Sequence, residues 1–276
     1  MPVNVEPVPD ETALLIDGKR KVLVMADLHV GIEAEYHDAG VTLPSQTKGL
    51  FRRVKALVED TGADEIVLLG DIKNSIGAIA QQEADEVPNF LKALADMVPL
   101  HIIPGNHDGS LSKLVPGWAD YPELITVHRA TGAVREGVGL FHGHTYPTQE
   151  VATQKVIVMG HQHPAVAFRD GLGTRMSEVC WVRAPLAEAP FMKRYGEKPD
   201  GEAIVMPAFS EYGSGSPVNE GDDLLGPFLR NGFVDMARAK VFLLDGVYLG
   251  LIEDLRLLLK APDEEITAEP ENPDKE

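Results

Sequence analysis

A chain of 276 residues is near the upper limit for one compact domain, and its 44% hydrophobic and 25% charged residues are typical of a soluble globular protein. Its 43 acidic and 25 basic residues give a formal net charge of -18, which repels nucleic acid unless basic residues gather on one face. The single cysteine, Cys180, excludes an internal disulfide and a cysteine-rich zinc cluster. No secretory leader is evident and no run approaches about 18 apolar residues, so we expect a cytoplasmic location and no membrane partner.

Five apolar segments, rich in Val, Ile and Leu, predict strands that are buried on both faces. Each segment runs directly into polar side chains that can bind metals or take part in catalysis. In chain order they are KVLVMADLHVG, EIVLLGDIKN, LHIIPGNHDG, VGLFHGH and VIVMGHQHP.

Helical patterns lie between the first three of these segments. Apolar residues recur with a period of about 3.6 from Leu50 onward, which predicts a helix with Ser45 as its N-cap. A second helix is predicted around Phe90, with Pro88 near its first turn. Alternating strands and helices are typical of an α/β core.

The second half of the chain contains short strand-like segments separated by turns, which predict a sheet with hairpin connections. These segments are AVAFRDG, EVCWVRAPL, AIVMPAF and AKVFLLDGVYLG. The stretch Gly213–Asp223 is a loop by composition. The last stretch, Ala261–Glu276, holds seven acidic residues and three prolines and predicts a disordered tail. We therefore expect a single domain over residues 1–260.

The polar clusters share a position that matters for function. In open α/β sheets the carboxyl ends of the strands form the functional edge, because the loops leaving them converge on one crevice. All five clusters occupy such ends, so they meet if the strands share an edge. Carboxylate, amide and imidazole groups without a thiolate suit divalent manganese, iron, zinc, cobalt or nickel. The candidate residues, too many for one ion, are Asp27, His29, Asp71, Asn106, His107, His142, His161 and His163.

Two metal ions about 3.5 to 4 Å apart are the recurring arrangement for attack on phosphorus, since they clamp the attacking and leaving oxygens and acidify the bridging water. In an extended segment, residues two apart project to the same side, about 6.5 Å apart along the chain. We therefore expect His161 and His163 to bind different ions, while Gln162 points away. Manganese is the first choice for both ions.

The ordered motifs DLH, GD, GNHD, HGH and GHQH resemble the calcineurin-like metallophosphoesterase superfamily over Val22 to Pro164. The opening from ALLID to KVLVMADLHVG and the AIVMPAF segment are most similar to an archaeal branch related to the nuclease subunit of double-strand-break repair complexes. The resemblance implies an α/β fold, a four-layer αββα sandwich in which two mixed β-sheets pack face to face with helices outside.

The resemblance also implies a role for each site residue. A hydroxide bridging the two metals would attack a phosphomonoester or phosphodiester, with His107 near the leaving group as a general acid or as a donor to the phosphoryl oxygens. An imidazolium in that place can supply a proton at neutral pH. Asp108 would either orient the His107 ring or cap the next turn. The first ion would be held by Asp27, His29, Asp71 and His163, and the second by Asp71, Asn106, His142 and His161, with Asp71 as the bridge.

The sequence is less specific about the roles of residues that lie beside the motifs. His144 is expected behind the ligands or on the substrate side. Lys73 and Asn74 either line the phosphate pocket or, as is more usual for a lysine such as Lys73, face solvent. Arg135 either contacts phosphate or, as is more usual for a lone Arg in a turn, is solvated. The segment Glu35–Gln46 either rims the site or packs on the sheet. Cys180 is expected in the core.

The leading interpretation is a dinuclear phosphoesterase that acts on a small-molecule or nucleotide phosphate ester. A manganese-dependent DNA nuclease is the first alternative, which the acidity and the lack of an evident basic patch disfavour. A non-catalytic, metal-binding interaction module is the second. Such a module would be expected to lose ligands or His107, and the sequence retains them all.

Overall fold

In a computed structural model of the protein, the described residues form two large sheets and one small sheet. The structure describes residues 3–115, 124–170, 172–213, 215–221 and 223–260. The expected acidic tail, residues 261–276, lies outside them. Within the described residues, no helix combines the length and the apolar character that crossing a membrane requires.

The first large sheet is mixed. Its first two strand pairs are antiparallel and the remaining ones are parallel. Met25 pairs with Leu68, so the third and fourth strands end level with each other. Across the sheet, among the described residues, the strands are β1 (Asn4–Pro7), β2 (Ala13–Asp17), β3 (Lys21–Met25), β4 (Glu65–Leu68), β5 (Leu100–Ile102) and β6 (Ile125–Val127).

The second large sheet is also mixed, with parallel strands at its centre. In spatial order its described strands are β16 (Tyr248–Leu251), β15 (Lys240–Phe242), β12 (Trp181–Pro185), β13 (Glu202–Val205), β9 (Val156–Met159), β8 (Val138–Leu140) and β7 (Ala133–Arg135). The small sheet contains β11 (Arg175–Val179), β10 (Pro164–Arg169) and β14 (Ser216–Pro217). Buried Cys180 separates β11 from β12, so the segment EVCWVRAPL forms two strands in different sheets.

Helices cover the outer faces of both large sheets. The helices are α1 (Ile32–Asp38), α2 (Thr47–Thr61), α3 (Gln81–Ala95), α4 (Leu111–Leu114), α5 (Gln149–Ala152), α6 (Glu188–Tyr195), α7 (Gly226–Arg230) and α8 (Ile252–Lys260), with a 3-10 turn at His107–Ser110. Both expected helices are therefore present, but their starts differ from the prediction. Gln46, rather than Ser45, precedes α2, and the Ser45 hydroxyl accepts a bond from the backbone N–H of Thr47 at 3.3 Å.

Pro88 was expected near the first turn of α3 but lies inside that helix. The helix begins earlier because the buried carboxylate of Glu83 accepts the backbone N–H of Ala80 at 3.0 Å. An acidic side chain in this position satisfies an N–H group that the helix cannot pair internally.

Alternating side chains along the central strands divide the interior into three cores. Leu23 and Met25 of β3 face α2 and α3, whereas Val22 and Val24 face the second sheet. On the second sheet, Val158 faces inward, and its neighbours along β9 pack against α6 and α7. This period of two makes both sheets buried on both faces. The fold is the four-layer αββα sandwich of the metallophosphoesterase type.

A buried ion pair joins the two sheets at the edge where β4 begins. The guanidinium of Arg135, on β7, donates to both carboxylate oxygens of Glu65 at 2.6 to 2.8 Å. Arg20 and His101 each lie 3.6 Å from the same carboxylate. Burial alone would raise the pKa of Glu65, but the hydrogen bonds from His101 and Arg135 lower it from 4.5 to about 2. Arg135 therefore has a structural partner far from the expected phosphate site.

We predict that Glu65→Gln lowers the free energy of unfolding by roughly 3 kcal/mol at pH 7, because it leaves Arg135 without its buried counter-charge. Urea unfolding followed by circular dichroism measures this change. Because the pKa of Glu65 is lower in the folded protein, its charged form adds stability that is complete above pH 4.5 and is lost as the pH falls towards 2. The difference in unfolding free energy between wild type and Glu65→Gln should therefore shrink over that range.

Glu220→Gln is the matched control. Its carboxylate also accepts several bonds from one arginine, Arg175, at 2.6 to 3.1 Å, but its side chain is 33% exposed whereas that of Glu65 is 1% exposed. Exposed ion pairs contribute about 0 to 1 kcal/mol. Equal effects of the two substitutions would contradict the structural role given to Glu65.

Candidate metal centre

The ends of β3 and β4 in the first sheet meet the ends of β8 and β9 in the second. The residue pattern alone predicts that these ends meet if the strands share an edge; they belong instead to the two sheets that the resemblance implies, and hydrogen bonds join the sheets here. The backbone N–H of His161 donates to Oδ2 of Asp27 at 2.9 Å. The Nδ1 of His142 donates to the carbonyl of Leu69, also at 2.9 Å. Polar groups from both sheets therefore form one centre.

Several of the expected ligands leave their strands in a left-handed backbone conformation, which residues other than glycine rarely adopt. Such positions cost about 1 to 3 kcal/mol each and cluster at functional sites. Hydrogen bonds between neighbouring turns hold the strained backbone, including one from the N–H of His29 to the carbonyl of Asp71 at 2.9 Å. The φ angles are 58° at Asp27, 47° at His29, 48° at Asp71, 69° at His161 and 46° at His163.

A first group of potential metal ligands contains Asp27, His29 and His163, whose ligand atoms all lie within 4.8 Å of one another. The Nε2 of His163 is 3.2 Å from Oδ1 of Asp27. The Nε2 atoms of His29 and His163 face each other at 3.4 Å. Two imidazole nitrogens and a carboxylate oxygen that converge in this way can bind one cation.

A second group contains Asp71, His142 and His161, and it meets the same distance criterion. The Nε2 of His142 is 3.3 Å from Oδ2 of Asp71. Because its Nδ1 donates to a backbone carbonyl, the His142 ring presents Nε2 to the group, as histidines that bind metals generally do. His161 and His163 thus belong to different groups.

Buried atoms without hydrogen bonds test whether this centre fits metal ions. Among the described residues, Oδ1 of Asp27 and Nε2 of His142 are buried and have no hydrogen-bond partner. Leaving such atoms unsatisfied in the interior is costly. A divalent cation bound in each group would satisfy these two atoms, because carboxylate oxygens and imidazole nitrogens are ligands that transition metals accept. The residues present therefore fit two ions.

The charges of the centre complement one another. Burial would raise the pKa of Asp27, but His163 and His142 hold it below its ordinary value. Burial would lower the pKa of His142, yet Asp27 and Asp71 raise it to about 9. Burial lowers the pKa of His29 to about 4, so this imidazole is neutral at pH 7, the form that binds metals.

Asn106 and His107 lie beside the second group. The backbone N–H of His107 donates to Oδ1 of Asp71 at 2.9 Å, and its Nε2 lies 3.7 Å from Oδ2. Its Nδ1 donates to the carbonyl of Asn74. The exposed Asn106 directly precedes His107, and its amide makes no hydrogen bond to the described residues. The partly exposed ring of His107 therefore borders the second group.

Two neighbouring residues differ from the sequence expectations. Asp108 does not orient the His107 ring, because its buried carboxylate accepts the backbone N–H groups of Ile72 and Gly105 at 3.0 and 2.9 Å. It ties the loop after β4 to the loop after β5. Lys73 is fully buried rather than exposed, and its Nζ donates to the carbonyl of Ser75. The bond between Ile72 and Asp108 spans 36 residues of chain, so the local sequence does not predict it.

His144 and the segment 35–46 also lie near the centre. The ring centroid of His144 is 5.2 Å from that of His142 and 6.2 Å from that of His161, beside the second group. Glu35 accepts a bond from the side chain of Asn74 at 2.9 Å, whereas the side chain of Gln46 is buried against the turn of the first group. The segment therefore both borders the centre and packs against it. The role of Gln46 was missed, because a glutamine at a helix start carries no local signal.

The family model described as calcineurin-like phosphoesterase matches residues 20–205. The chain therefore belongs to the calcineurin-like phosphoesterase family, and the expected superfamily membership is confirmed. A comparison with curated proteins found no match.

One solved structure supports the fold. The chain is similar to the crystal structure of Pseudomonas putida nuclease MPE, with 20% identity, a TM-score of 0.54, and coverage of 89% of this chain and 100% of that chain. It also matches Yfce, a phosphoesterase from E. coli, with 16% identity, 83% and 96% coverage, and a TM-score of 0.37. The first similarity supports the fold alone, and the second is too low to support an argument.

We predict that Gly70→Ala disrupts the centre. Gly70 precedes Asp71 in the GD motif, and a Cβ there would overlap Nδ1 of the His142 ring, which cannot move without losing its bond to Leu69. We expect manganese affinity to fall at least about tenfold, as is usual when the support of a metal ligand is lost. Isothermal titration calorimetry measures this affinity.

Gly77→Ala is the control for backbone strain. Gly77 has a φ of 92°, close to the 83° of Gly70, but a Cβ at Gly77 would meet no atom within 4 Å. Both substitutions should therefore carry the same conformational cost of about 1 kcal/mol. Unchanged manganese affinity in Gly70→Ala would contradict the geometry of the second group.

Proposed function

We propose that the protein is a metal-dependent phosphoesterase whose centre holds two divalent ions. The observation that carries this proposal is the pair of separate ligand groups between the sheets, in a chain of the calcineurin-like phosphoesterase family. Each group combines one carboxylate with two imidazoles, a set suited to manganese, iron, zinc, nickel or cobalt. Manganese is the ion we propose first.

The proposed ligands follow from the two groups. Asp27, His29 and His163 would hold the first ion, and Asp71, His142 and His161 would hold the second. Exposed Asn106 would add an amide oxygen to the second ion. Asp71 is also proposed as the bridge, since its backbone bonds to His29 while its carboxylate faces His142. Bound ions would acidify a water for attack on phosphorus and neutralise charge on the phosphoryl oxygens.

His107 is proposed as the residue that serves the leaving group. It is partly exposed, so a substrate can reach it, and its Nδ1 is engaged by the carbonyl of Asn74. That bond requires the proton on Nδ1 and orients Nε2 towards the centre. A proton held on Nε2 would pass to the leaving oxygen or donate to a phosphoryl oxygen. Asp108 supports this role only through the backbone of the loop that carries His107.

We predict that His107→Asn lowers kcat on aryl phosphate esters about 100- to 10,000-fold, the usual effect of losing a general acid, while manganese binding is retained. Asp71→Asn should lose both activity and metal, because it removes charge from the second group. Hydrolysis of aryl phosphate monoesters and diesters with manganese, beside calorimetric titration, separates these outcomes.

His37→Asn is the control, since His37 is an exposed histidine near the end of α1, its ring lies 3.9 Å from the carboxylate of Asp38, and it belongs to neither ligand group. It should retain the wild-type rate. Wild-type turnover by His107→Asn would remove the proposed role of that residue. Equal turnover by wild type and Asp71→Asn would contradict the phosphoesterase proposal itself.

The substrate class is proposed to be a small-molecule or nucleotide phosphate ester. The structurally similar Pseudomonas putida protein is described as a nuclease, which makes DNA the second candidate. The net charge of -18 opposes DNA binding. Incubation of labelled single- and double-stranded DNA with manganese and the wild type or Asp71→Asn distinguishes the two. Cleavage by the wild type above the Asp71→Asn background would establish the nuclease alternative.

A non-catalytic role predicts different results in metal-binding, hydrolysis and pull-down experiments. Wild-type protein that binds two ions but hydrolyses no ester in a broad phosphate panel, and that retains a protein partner in pull-down, would favour the interaction module. The single domain over residues 1–260 and the cytoplasmic location stay predictions.

A further inference from the structure

Gln46 occupies an unusual place at the start of α2. Its side chain is 2% exposed, although it belongs to neither ligand group. Its Nε2 donates to the carbonyls of Leu28 and His29 at 3.2 and 3.1 Å. Its Oε1 accepts the hydroxyl of Ser210 and the backbone N–H of Glu211 at 3.1 and 2.9 Å. The amide therefore uses both its donors and both lone pairs of its oxygen.

The two carbonyls that Gln46 binds belong to the turn of the first ligand group. Asp27 and His29 both have positive φ, so this turn leaves the regular geometry of β3. The N–H groups of these two residues still pair with the carbonyls of Gly70 and Asp71, and the carbonyls of the turn need other donors. Ser210 donates its backbone N–H to the carbonyl of Asp27 at 3.1 Å. Gln46 donates to the next two carbonyls, and the carbonyl of His29 also accepts the backbone N–H of Ile32 at 3.1 Å. Together Gln46 and Ser210 thus bind every carbonyl of the turn from residue 27 to residue 29.

The orientation of the amide follows from its partners. The backbone N–H of Glu211 can only donate, so the atom that faces it must be the Gln46 oxygen. The carbonyls of Leu28 and His29 can only accept, so the nitrogen must face them. A flipped amide would leave all these buried groups with repulsive contacts. The backbone N–H of Gln46 also donates to the buried carboxylate of Glu33 at 2.5 Å, which anchors its main chain.

We propose that Gln46 is a positioning residue for the ion held by Asp27, His29 and His163. Gln46 holds the strained turn in the conformation that directs Asp27 and His29 towards His163. This inference rests on the proposed two-metal function. Groups that support metal ligands without touching the metal typically change its affinity about 10- to 100-fold when they are replaced. Loss of Gln46 should therefore weaken the first ion and leave the second ion bound.

The test is Gln46→Glu, which keeps the shape of the side chain but replaces the donor nitrogen with an oxygen facing two carbonyls. Manganese titration by calorimetry, with bound metal counted by inductively coupled plasma mass spectrometry, gives the affinity of each binding step. His29→Ala, which removes a ligand of the first group, identifies the step that belongs to that group. We expect Gln46→Glu to weaken this same step at least about tenfold.

Asn219→Asp is the matched control. Asn219 is another buried amide, 3% exposed, whose nitrogen donates to the carbonyl of Ala167 and whose oxygen accepts the N–H of the same residue. Ala167 lies in β10, about 13 Å along the chain from His163. The substitution makes the same chemical change away from the metal groups. It should lower stability while both manganese steps keep their wild-type affinities.

Wild-type affinity of both steps in Gln46→Glu would overturn the proposal, as would equal weakening of the first step by Asn219→Asp. If Gln46→Glu fails to fold, Ser210→Ala decides, because it removes one of the bonds that orient the amide and should weaken the first step by a smaller factor. No effect of Ser210→Ala would then count against the proposal. Wild-type protein that binds fewer than two ions would refute the proposed function, whatever the variants do.

Discussion

Two carboxylates buried between the ends of two sheets are the constraint on which the rest of the structure depends. Asp27 is fully buried and Asp71 nearly so, and a buried charge is costly unless it has partners. The partners come from the opposite sheet, where His163 faces Asp27 and His142 faces Asp71. The carboxyl ends of the two sheets must therefore meet. The strained turns and the close approach of Gly70 to His142 follow from bringing these groups together.

The opposite edge of the sheets shows how the same protein buries a carboxylate for stability alone. There Glu65 is paired by the guanidinium of Arg135, which donates to both of its oxygens, and its backbone has no left-handed strain. At the metal centre, by contrast, Oδ1 of Asp27 has no hydrogen-bond donor among the described residues, and its backbone is strained. A carboxylate that is satisfied by protein groups needs nothing more. One that is held under strain with a buried oxygen left over fits a cation site, which is why we propose metal chemistry at the edge that carries Asp27 rather than at the edge that carries Glu65.

Much of this arrangement could be predicted from sequence, because its signals are local. Apolar runs identify the central strands, and metal-binding side chains directly after them identify the centre. The division of the strands between two sheets came from family resemblance rather than from periodicity. Side chains whose roles depend on distant partners were harder to predict: Lys73 is buried, Asp108 binds backbone rather than His107, and Arg135 pairs with Glu65. The bonds of Asp108 to Ile72 and of Arg135 to Glu65 join segments far apart in the chain, so no local pattern predicts them, and the burial of Lys73 depends on how the surrounding loops pack.

The central claim is that the two groups hold separate ions, with His163 serving the first and His161 the second. Anomalous diffraction from crystals grown with manganese tests this claim most directly. The account predicts two peaks about 3.5 to 4 Å apart, one in contact with His163 and Asp27 and the other in contact with His161 and Asp71. A single peak shared by both histidines, or two peaks that both contact the same one, would contradict it.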